Sequence, residues 1–346
     1  MDAIFNKTTS LKSFEDIVPE KTVCIGKLTK SLTFEELLYE SVNEVLLSST
    51  LNNFSNTLLL VGSSVGGMAT SEKIFFCENS YKNIDINKHT IDSIALTLNN
   101  KFSFLGTRSF STACTSSANA LKTAKELINI GAYENILVVG ADEICLTTIF
   151  GFSALGILSD EVCTPFQNNR KGMNVAEGIG VLLLQNKSQK NSISLVGAGT
   201  SSDAFHIANP DPSANGAKSA INNALEDASL SPSNIKYVNA HGTGTNANDS
   251  TEAKAVKEIF GNEIYISSSK SNIGHTLGAA GAIEAIICVE ALKRGLLPPQ
   301  INCNDNETDL NFVNEAKELK MDYALSNSFA FGGNNTSLIF GIYNED

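Results

Sequence analysis

The sequence predicts an α/β fold in which buried, largely parallel strands alternate with helices, arranged as two halves of similar size. Three features carry that expectation. Short apolar runs, several ending in glycine, are too continuous for strands with one wet face. Segments with one apolar helical face separate them. The rhythm restarts near residue 193, after the polar stretch 185–192, which sets the halves at residues 1–190 and 191–346.

In chain order, 58–62 (LLLVG) reads as the first clear buried strand. Residues 117–130 follow as a helix with Ala118, Leu121, Ala124 and Ile128 on one face, and Gly131 supplies a C-terminal stop. Residues 136–140 (ILVVG), 181–184 and 193–197 (ISLVG) read as strands. A helix over 217–230 ends at Ser231-Pro232, and 235–238 is again a strand. A helix over 250–260 is closed by Gly261, the small-residue segment 277–292 reads as another helix, and 337–342 is the last strand.

The 346 residues (36.9 kDa) allow a large core, and 42% hydrophobic with 18% charged residues excludes a wholly disordered or collagen-like chain. A net charge of −12 excludes a general phosphate-backbone binder, so no nucleic-acid partner is expected. The uncharged apolar stretch 144–159 is shorter than the ~20 residues needed to span a bilayer, so no membrane partner is expected. Residues 1–10 lack a cationic segment followed by an apolar one, which argues against a secretory signal. The seven cysteines, at 24, 77, 114, 145, 163, 288 and 303, are scattered and form no CxxC. That spacing fits neither a disulfide framework nor structural zinc; a cytoplasmic protein with free thiols is expected.

Cys114 stands in STACTSS, where a helical pattern begins. A helix N-terminus offers free backbone N–H groups and partial positive charge, which favour a thiolate, and the small neighbours leave room for a substrate. Taken alone, Cys114 has two readings, a nucleophile or an inert buried thiol. His241 (NAHGTGT) and His275 (SNIGHTLGAAG) lie after apolar runs in glycine-rich contexts, where strand ends place catalytic groups; singly, each also reads as a structural histidine. His89 and His206 have no partner nearby in sequence and read as structural. Lys270, in a mostly uncharged stretch, is expected to be partnered and partly buried. Glu284, on an otherwise apolar helix side, needs Lys270, backbone N–H groups or a cation if it is buried, and is otherwise a surface glutamate. Residues 326–335 join aromatic and glycine residues, and Gly332-Gly333 reads as a flexible turn able to present N–H groups. No phosphate loop occurs, and VGSSVGG at 61–67 is read as a tight turn rather than a dinucleotide fingerprint.

These segments occur together and in one order. STACTSS, NAHGTGTNANDSTEAKAV, SSSKSNIGHTLGAAGAIEA and NSFAFGGNNTSLIF resemble, in that order, the nucleophile, first-histidine, lysine–second-histidine and C-terminal gate segments of the elongating β-ketoacyl-(acyl-carrier-protein) synthases. GFSALGILS, CTPFQNNRKGMNVAEGIG and TSSDAFHIANPDP match in order between them, and the likeness spans roughly residues 35–342. The resemblance implies a thiolase fold, a five-layered αβαβα sandwich of two similar halves, usually dimeric. It implies that Cys114 accepts an acyl chain from a carrier-protein thioester, and that His241 and His275 hydrogen-bond the carbonyl of a malonyl thioester as it loses CO2. The resulting carbanion attacks the acyl-cysteine to give a 3-oxoacyl carrier protein.

By the same resemblance, Lys270 organises the site through Glu284 and the histidines. The N–H groups of Cys114 and Phe331 form the oxyanion hole, and Phe331 also gates the pocket. Phe329, Asp249 and Glu252 are supporting residues. No metal or organic cofactor is expected in the chemistry, although some members hold a structural monovalent cation at positions matching Asn239, Glu284, Ser326 and Asn327. The implied partners are acyl carrier protein, acyl and malonyl thioesters, and a second ketosynthase-like chain in a homodimer or heterodimer. The competing expectation is a non-elongating partner subunit like the chain-length factors, which typically lack the nucleophile. Docking an acidic carrier protein needs a basic patch, for which Arg170 and Lys171 are candidates. Three departures stand out. Residues 1–33 show no clear equivalent of the family's opening strand and glycine-rich turn, Ala330 replaces a usual glycine, and Ser111 replaces a frequent aspartate.

Overall fold

The computed structural model describes residues 1–28, 31–187, 190–303, 305–306 and 308–343. Residues 188 and 189 of the expected inter-half stretch, and 344–346 of the second half, lie outside the described residues. A short helix α1 (Asp2–Phe5) and a hairpin of β1 (Leu11–Val18) and β2 (Lys21–Gly26) come first. Helix α2 (Phe34–Ser48) starts at a reciprocal cap, in which the Glu36 N–H donates to Thr33 Oγ1 and the Thr33 N–H to the Glu36 carboxylate.

The first large sheet holds β3 (Leu58–Gly62), β4 (Gly106–Phe110), β5 (Asn135–Asp142) and β6 (Gly178–Gln185), in the order β4-β3-β5-β6. β3 pairs parallel with β4 and β5, and β6 runs antiparallel to β5. The second sheet is built from β7 (Ile193–Ser202), β8 (Tyr237–Asn239), β9 (Tyr265–Ser267), β11 (Asn311–Phe312), β13 (Tyr323–Phe329) and β14 (Asn334–Ile342), in the order β11-β9-β8-β13-β14-β7. A small pairing of β10 (Leu296–Leu297) with β12 (Lys317–Glu318) stands apart.

The first half also contains α3 (Met68–Glu78), α4 (Ser93–Phe102), α5 (Ser116–Asn129) and α6 (Leu146–Ala154). The second half carries α7 (Asn215–Asp227), α8 (Asn246–Phe260), α9 (Lys270–Ile273) and α10 (Ala280–Arg294). Helices α5 and α10 lie between the two sheets and touch both, while α2 and α4 cover the outer face of the first sheet and α7 packs on that of the second. This is the five-layered αβαβα sandwich of the thiolase fold.

The apolar runs explain the layering. Along β3, Leu58 and Leu60 join the central core with Leu121, Leu292 and Leu338, while Leu59 and Val61 join the outer core with Leu38 and Leu98. Alternate residues thus bury opposite faces, so the strand reads as one continuous apolar segment. The end of β3 abuts the start of α5 so closely that a Cβ on Gly62 would lie 2.3 Å from the Ser117 nitrogen. Close approach fixes where the Cys114 turn sits.

Every strand and helix expected from the sequence forms, with shifted ends: the helix expected to begin at 250 begins at Asn246, and the strand expected over 235–238 is Tyr237–Asn239. The hairpin β1–β2 and the strand β13 were not among the expected elements. The turn expected at Gly332-Gly333 forms, both glycines taking left-handed φ, and it joins the end of β13 to the start of β14.

Candidate active site

Cys114 lies between β4 and α5, one residue after Ala113, whose φ of +53° is left-handed. That conformation turns the chain sharply into the helix and is held by two hydroxyls, because Ser64 Oγ and Ser116 Oγ both donate to the Ala113 carbonyl, at 2.9 and 2.6 Å. His241 follows β8. Its own N–H and that of Gly242 donate to the two oxygens of Glu252 at 2.8 Å, and Asp249 accepts from the N–H groups of Thr243, Gly244 and Phe166. Both carboxylates sit on α8 and are fully buried. Lys270 and His275 follow β9, on and just after α9.

The fold brings these distant residues together. His275 Nε2 lies 3.0 Å from Cys114 Sγ, and one ligand atom each of Cys114, His241 and His275 falls within 4.8 Å of the others. The two imidazoles stand edge to face, with ring centroids 5.2 Å apart, and Phe329 flanks His241 at 6.1 Å. Phe331 packs edge to face on Phe152 at 6.1 Å. A cavity of about 300 Å³ is lined by Cys114, both histidines, Met173, Phe329 and Phe331.

Hydrogen bonds fix the proton positions. The Leu277 N–H donates to His275 Nδ1 at 3.2 Å, and Lys270 Nζ lies 3.4 Å from His241 Nδ1. With both Nδ1 atoms accepting, each neutral ring carries its proton on Nε2. Burial pushes both imidazoles well below their ordinary pKa, and the Lys270 charge pushes further the same way. The site therefore presents two neutral N–H donors. It suits a metal poorly, because Nε2 ligation would put protons on Nδ1 atoms that already face donors.

Burial pushes the Cys114 thiol up to about 12, with Lys270 pulling in the opposite direction. The expectation that the helix start favours a resting thiolate is thus outweighed by burial; the resting sulfur is a thiol that accepts a hydrogen bond from His275. Lys270 and Glu284 form a buried ion pair at 2.5 Å, so Glu284 takes the buried, lysine-partnered alternative rather than the surface one. Burial raises the Glu284 pKa while Lys270 opposes it.

Of the four positions considered for a monovalent cation, two offer buried oxygens without hydrogen-bond partners, Asn239 Oδ1 and Glu284 Oε2. The Asn327 amide is committed to Glu252 and Ser337, and Ser326 is buried beside it. Arg170 is not a docking cation. It is buried, bonds the Gln167 and Asn246 carbonyls and Ser250 Oγ, and lies 3.7 Å from Asp249. Lys171 is exposed but pairs with Asp160 and Glu161. His89 is bonded to Ser71, and His206 to the N–H groups of Ala208 and Asn209, which line the cavity; neither histidine lines it itself.

Two buried residues of the site were missed from sequence. The Asn174 backbone carbonyl accepts the His275 N–H at 2.7 Å, and its side-chain amide donates to the Cys24 carbonyl of the hairpin and to the Glu161 carbonyl. Asp142 collects hydrogen bonds from four residues at the end of β5. The only signal for either is a polar residue inside an otherwise apolar or small-residue segment.

A thiol at a strand-to-helix turn, facing two neutral imidazoles in a two-sheet sandwich, defines a thiolase-fold protein equipped for acyl transfer. The comparisons with known proteins narrow the class. The beta-ketoacyl synthase N-terminal domain family matches residues 29–190, and the C-terminal domain family matches 193–304. A 3-oxoacyl-(acyl-carrier-protein) synthase 2 from Coxiella burnetii is 32% identical over 98% of this chain and 89% of its own length. Among solved structures, a ketosynthase in complex with its chain length factor from Xenorhabdus doucetiae is 31% identical, covers 99% of this chain and 93% of its own, and superposes with a TM-score of 0.87. A beta-ketoacyl synthase from Burkholderia phymatum gives 26%, 99%, 94% and 0.90 for the same measures. The chain belongs to the β-ketoacyl synthase family.

Proposed function

We propose that this chain is an elongating 3-oxoacyl-(acyl-carrier-protein) synthase, an acyltransferase of fatty-acid or polyketide-type synthesis. One observation carries the reading: the Cys114 sulfur sits 3.0 Å from His275 Nε2, with His241 beside them, at a cavity that all three line. Cys114 attacks the thioester carbonyl of an acyl carrier protein. The thiol proton ends on the departing carrier sulfur, and the N–H groups of Cys114 and Phe331 receive the oxyanion.

A malonyl thioester then enters, and its carbonyl accepts the two Nε2 protons. Loss of CO2 leaves an enolate stabilised by those donors, and neutral imidazoles suit this step because they give up no proton prematurely. The carbanion attacks the acyl carbonyl and displaces the cysteine sulfur as a thiolate, which takes from solvent the one proton the overall reaction consumes. Lys270 holds His241 in the donating tautomer and is itself held by Glu284. Phe329 and Phe331 border the entrance, and Asp249 and Glu252 fix the His241 loop.

The partners are acyl carrier protein, acyl and malonyl thioesters and a second ketosynthase-like chain, either a copy or a relative. The division at residues 190 and 191 separates a half bearing the nucleophile from a half bearing both histidines. No helix among the described residues is long and apolar enough to cross a membrane, and we place the protein in the cytoplasm. The subunit reading loses to the intact Cys114, His241 and His275. Intact-mass analysis after incubation with acyl carrier protein bearing an acyl chain tests this directly. An acyl adduct on Cys114 is expected; no adduct here while a partner chain acquires one would overturn the assignment.

A further inference from the structure

We propose that Asp142 is a positioning residue that holds the two strained turns of the site, the one before Cys114 and the one after His275, in a single arrangement. The proposal rests on the condensing reading for its activity assays but not for its spectroscopic one. Asp142 ends β5, is fully buried, and touches neither the sulfur nor an imidazole. Its Oδ1 accepts from Ser63 Oγ at 2.5 Å and from the Ser64 and Val65 N–H groups at 3.0 Å. Its Oδ2 accepts from the Ser64 N–H at 2.9 Å and the Gly278 N–H at 2.6 Å. No cation shares the carboxylate among the described residues; backbone and hydroxyl donors alone satisfy it.

Each bonded segment leads to a strained residue. Ser64, fixed through its N–H, uses its hydroxyl to hold the carbonyl of Ala113, whose φ is +53°. Gly278, fixed through its N–H, follows Leu277, whose φ is +52° and whose N–H aims at His275 Nδ1. A left-handed Leu or Ala persists only where its surroundings hold it. Space is equally constrained: a Cβ on Gly278 would lie 2.6 Å from the Ser64 nitrogen and 2.8 Å from Asp142 Oδ2. One carboxylate thus sets the nucleophile turn and the tautomer of the second histidine together.

The test uses Asp142→Asn in the full chain, with 15N-labelled histidine and NMR assignment through a His275→Asn control. In the wild type, His275 is expected to carry its proton on Nε2. In Asp142→Asn the ring is expected to populate the Nδ1–H form, and the kcat for condensation to fall about tenfold or more with KM changed less than about twofold, as for an interaction acting on the reacting arrangement. A folded variant with the wild-type tautomer and kcat overturns the proposal. A tautomer shift in a chain that condenses nothing would leave the proposal standing and sink the functional reading instead. Ser64→Ala, at a partly exposed position, serves if Asp142→Asn does not fold. It should slow acylation of Cys114 several-fold while leaving the His275 tautomer unchanged, and unchanged acylation overturns the proposal.

Discussion

The two halves build the same sheet but finish it differently. In the second half, β14 runs antiparallel beside β13, and β7 pairs along its outer edge from Asn334↔Ser202 to Ile342↔Ile193. In the first half, β6 runs antiparallel beside β5 in the same way, but no strand among the described residues pairs with its outer edge. Burial follows: β14 is buried over 335–341, whereas β6 is only half-buried over 181–185. The N-terminal segment that precedes α2, as β7 precedes α7, went elsewhere. Its hairpin meets the first half at Gly26↔Ala176 and braces the second, with Thr9 and Ser10 bonded to the Ser271 and Asn272 carbonyls. The comparison teaches that the segment before α2 braces Lys270–His275, through Thr9 and Ser10, and does not pair with the β6 edge.

On the proposed reading the halves also divide the chemistry, nucleophile in one and donors in the other, and the predictions probe that division. Cys114→Ala should lower condensation by about 10⁴-fold while leaving malonyl decarboxylation measurable, since the donors belong to the other half; mass spectrometry of products reads both. Unchanged condensation would remove the nucleophile assignment. Glu284→Ala strands the buried Lys270 charge and should cost about 3–5 kcal/mol in denaturant unfolding. His241→Ala and His275→Ala should each lower decarboxylation by about 10²–10³-fold, the scale of one lost donor to a developing oxyanion. A histidine variant at full rate would break the two-donor arrangement.

The open edge gives a smaller contrast. Leu338→Ala on β14 should destabilise by about 1–2 kcal/mol more than Leu184→Ala on β6, because only the former side chain is fully enclosed. Equal losses would mean that the β6 edge is covered. The smallest effect is electrostatic. Burial pushes Glu252 from its ordinary 4.5 up to about 7, so folding takes up a proton between those values. Its contribution to stability is full below about pH 4.5 and is lost as pH rises through 7. Glu252→Gln should flatten that part of the pH–stability curve relative to wild type, as read from unfolding midpoints at pH 5 and pH 7.

The apolar strands were legible because both faces of β3 and β5 are buried, so Leu and Val follow one another without interruption. The site residues were legible as motifs, each in a small-residue context at a strand end. What stayed hidden has a common cause, which is polar residues doing buried work. β13 carries Ser326, Asn327 and Ser328, all nearly inaccessible, where periodicity looks for apolar side chains. β1 is exposed or half-buried at six of its eight positions and shows no strand alternation. Arg170 looked like a surface cation because neighbouring letters say nothing of the carbonyls that enclose it. Asp142 sits in GADE, indistinguishable by sequence from a solvated acid.

The enclosure of the Cys114 sulfur has a consequence for life with oxidants. Peroxides and alkylating agents attack thiolates, and a protonated sulfur offers them little. Of the seven cysteines only Cys77 is exposed, so stray electrophiles should mark that side chain long before they silence the site. On the proposed function, the same burial that slows unwanted chemistry reserves Cys114 for a thioester delivered into the cavity.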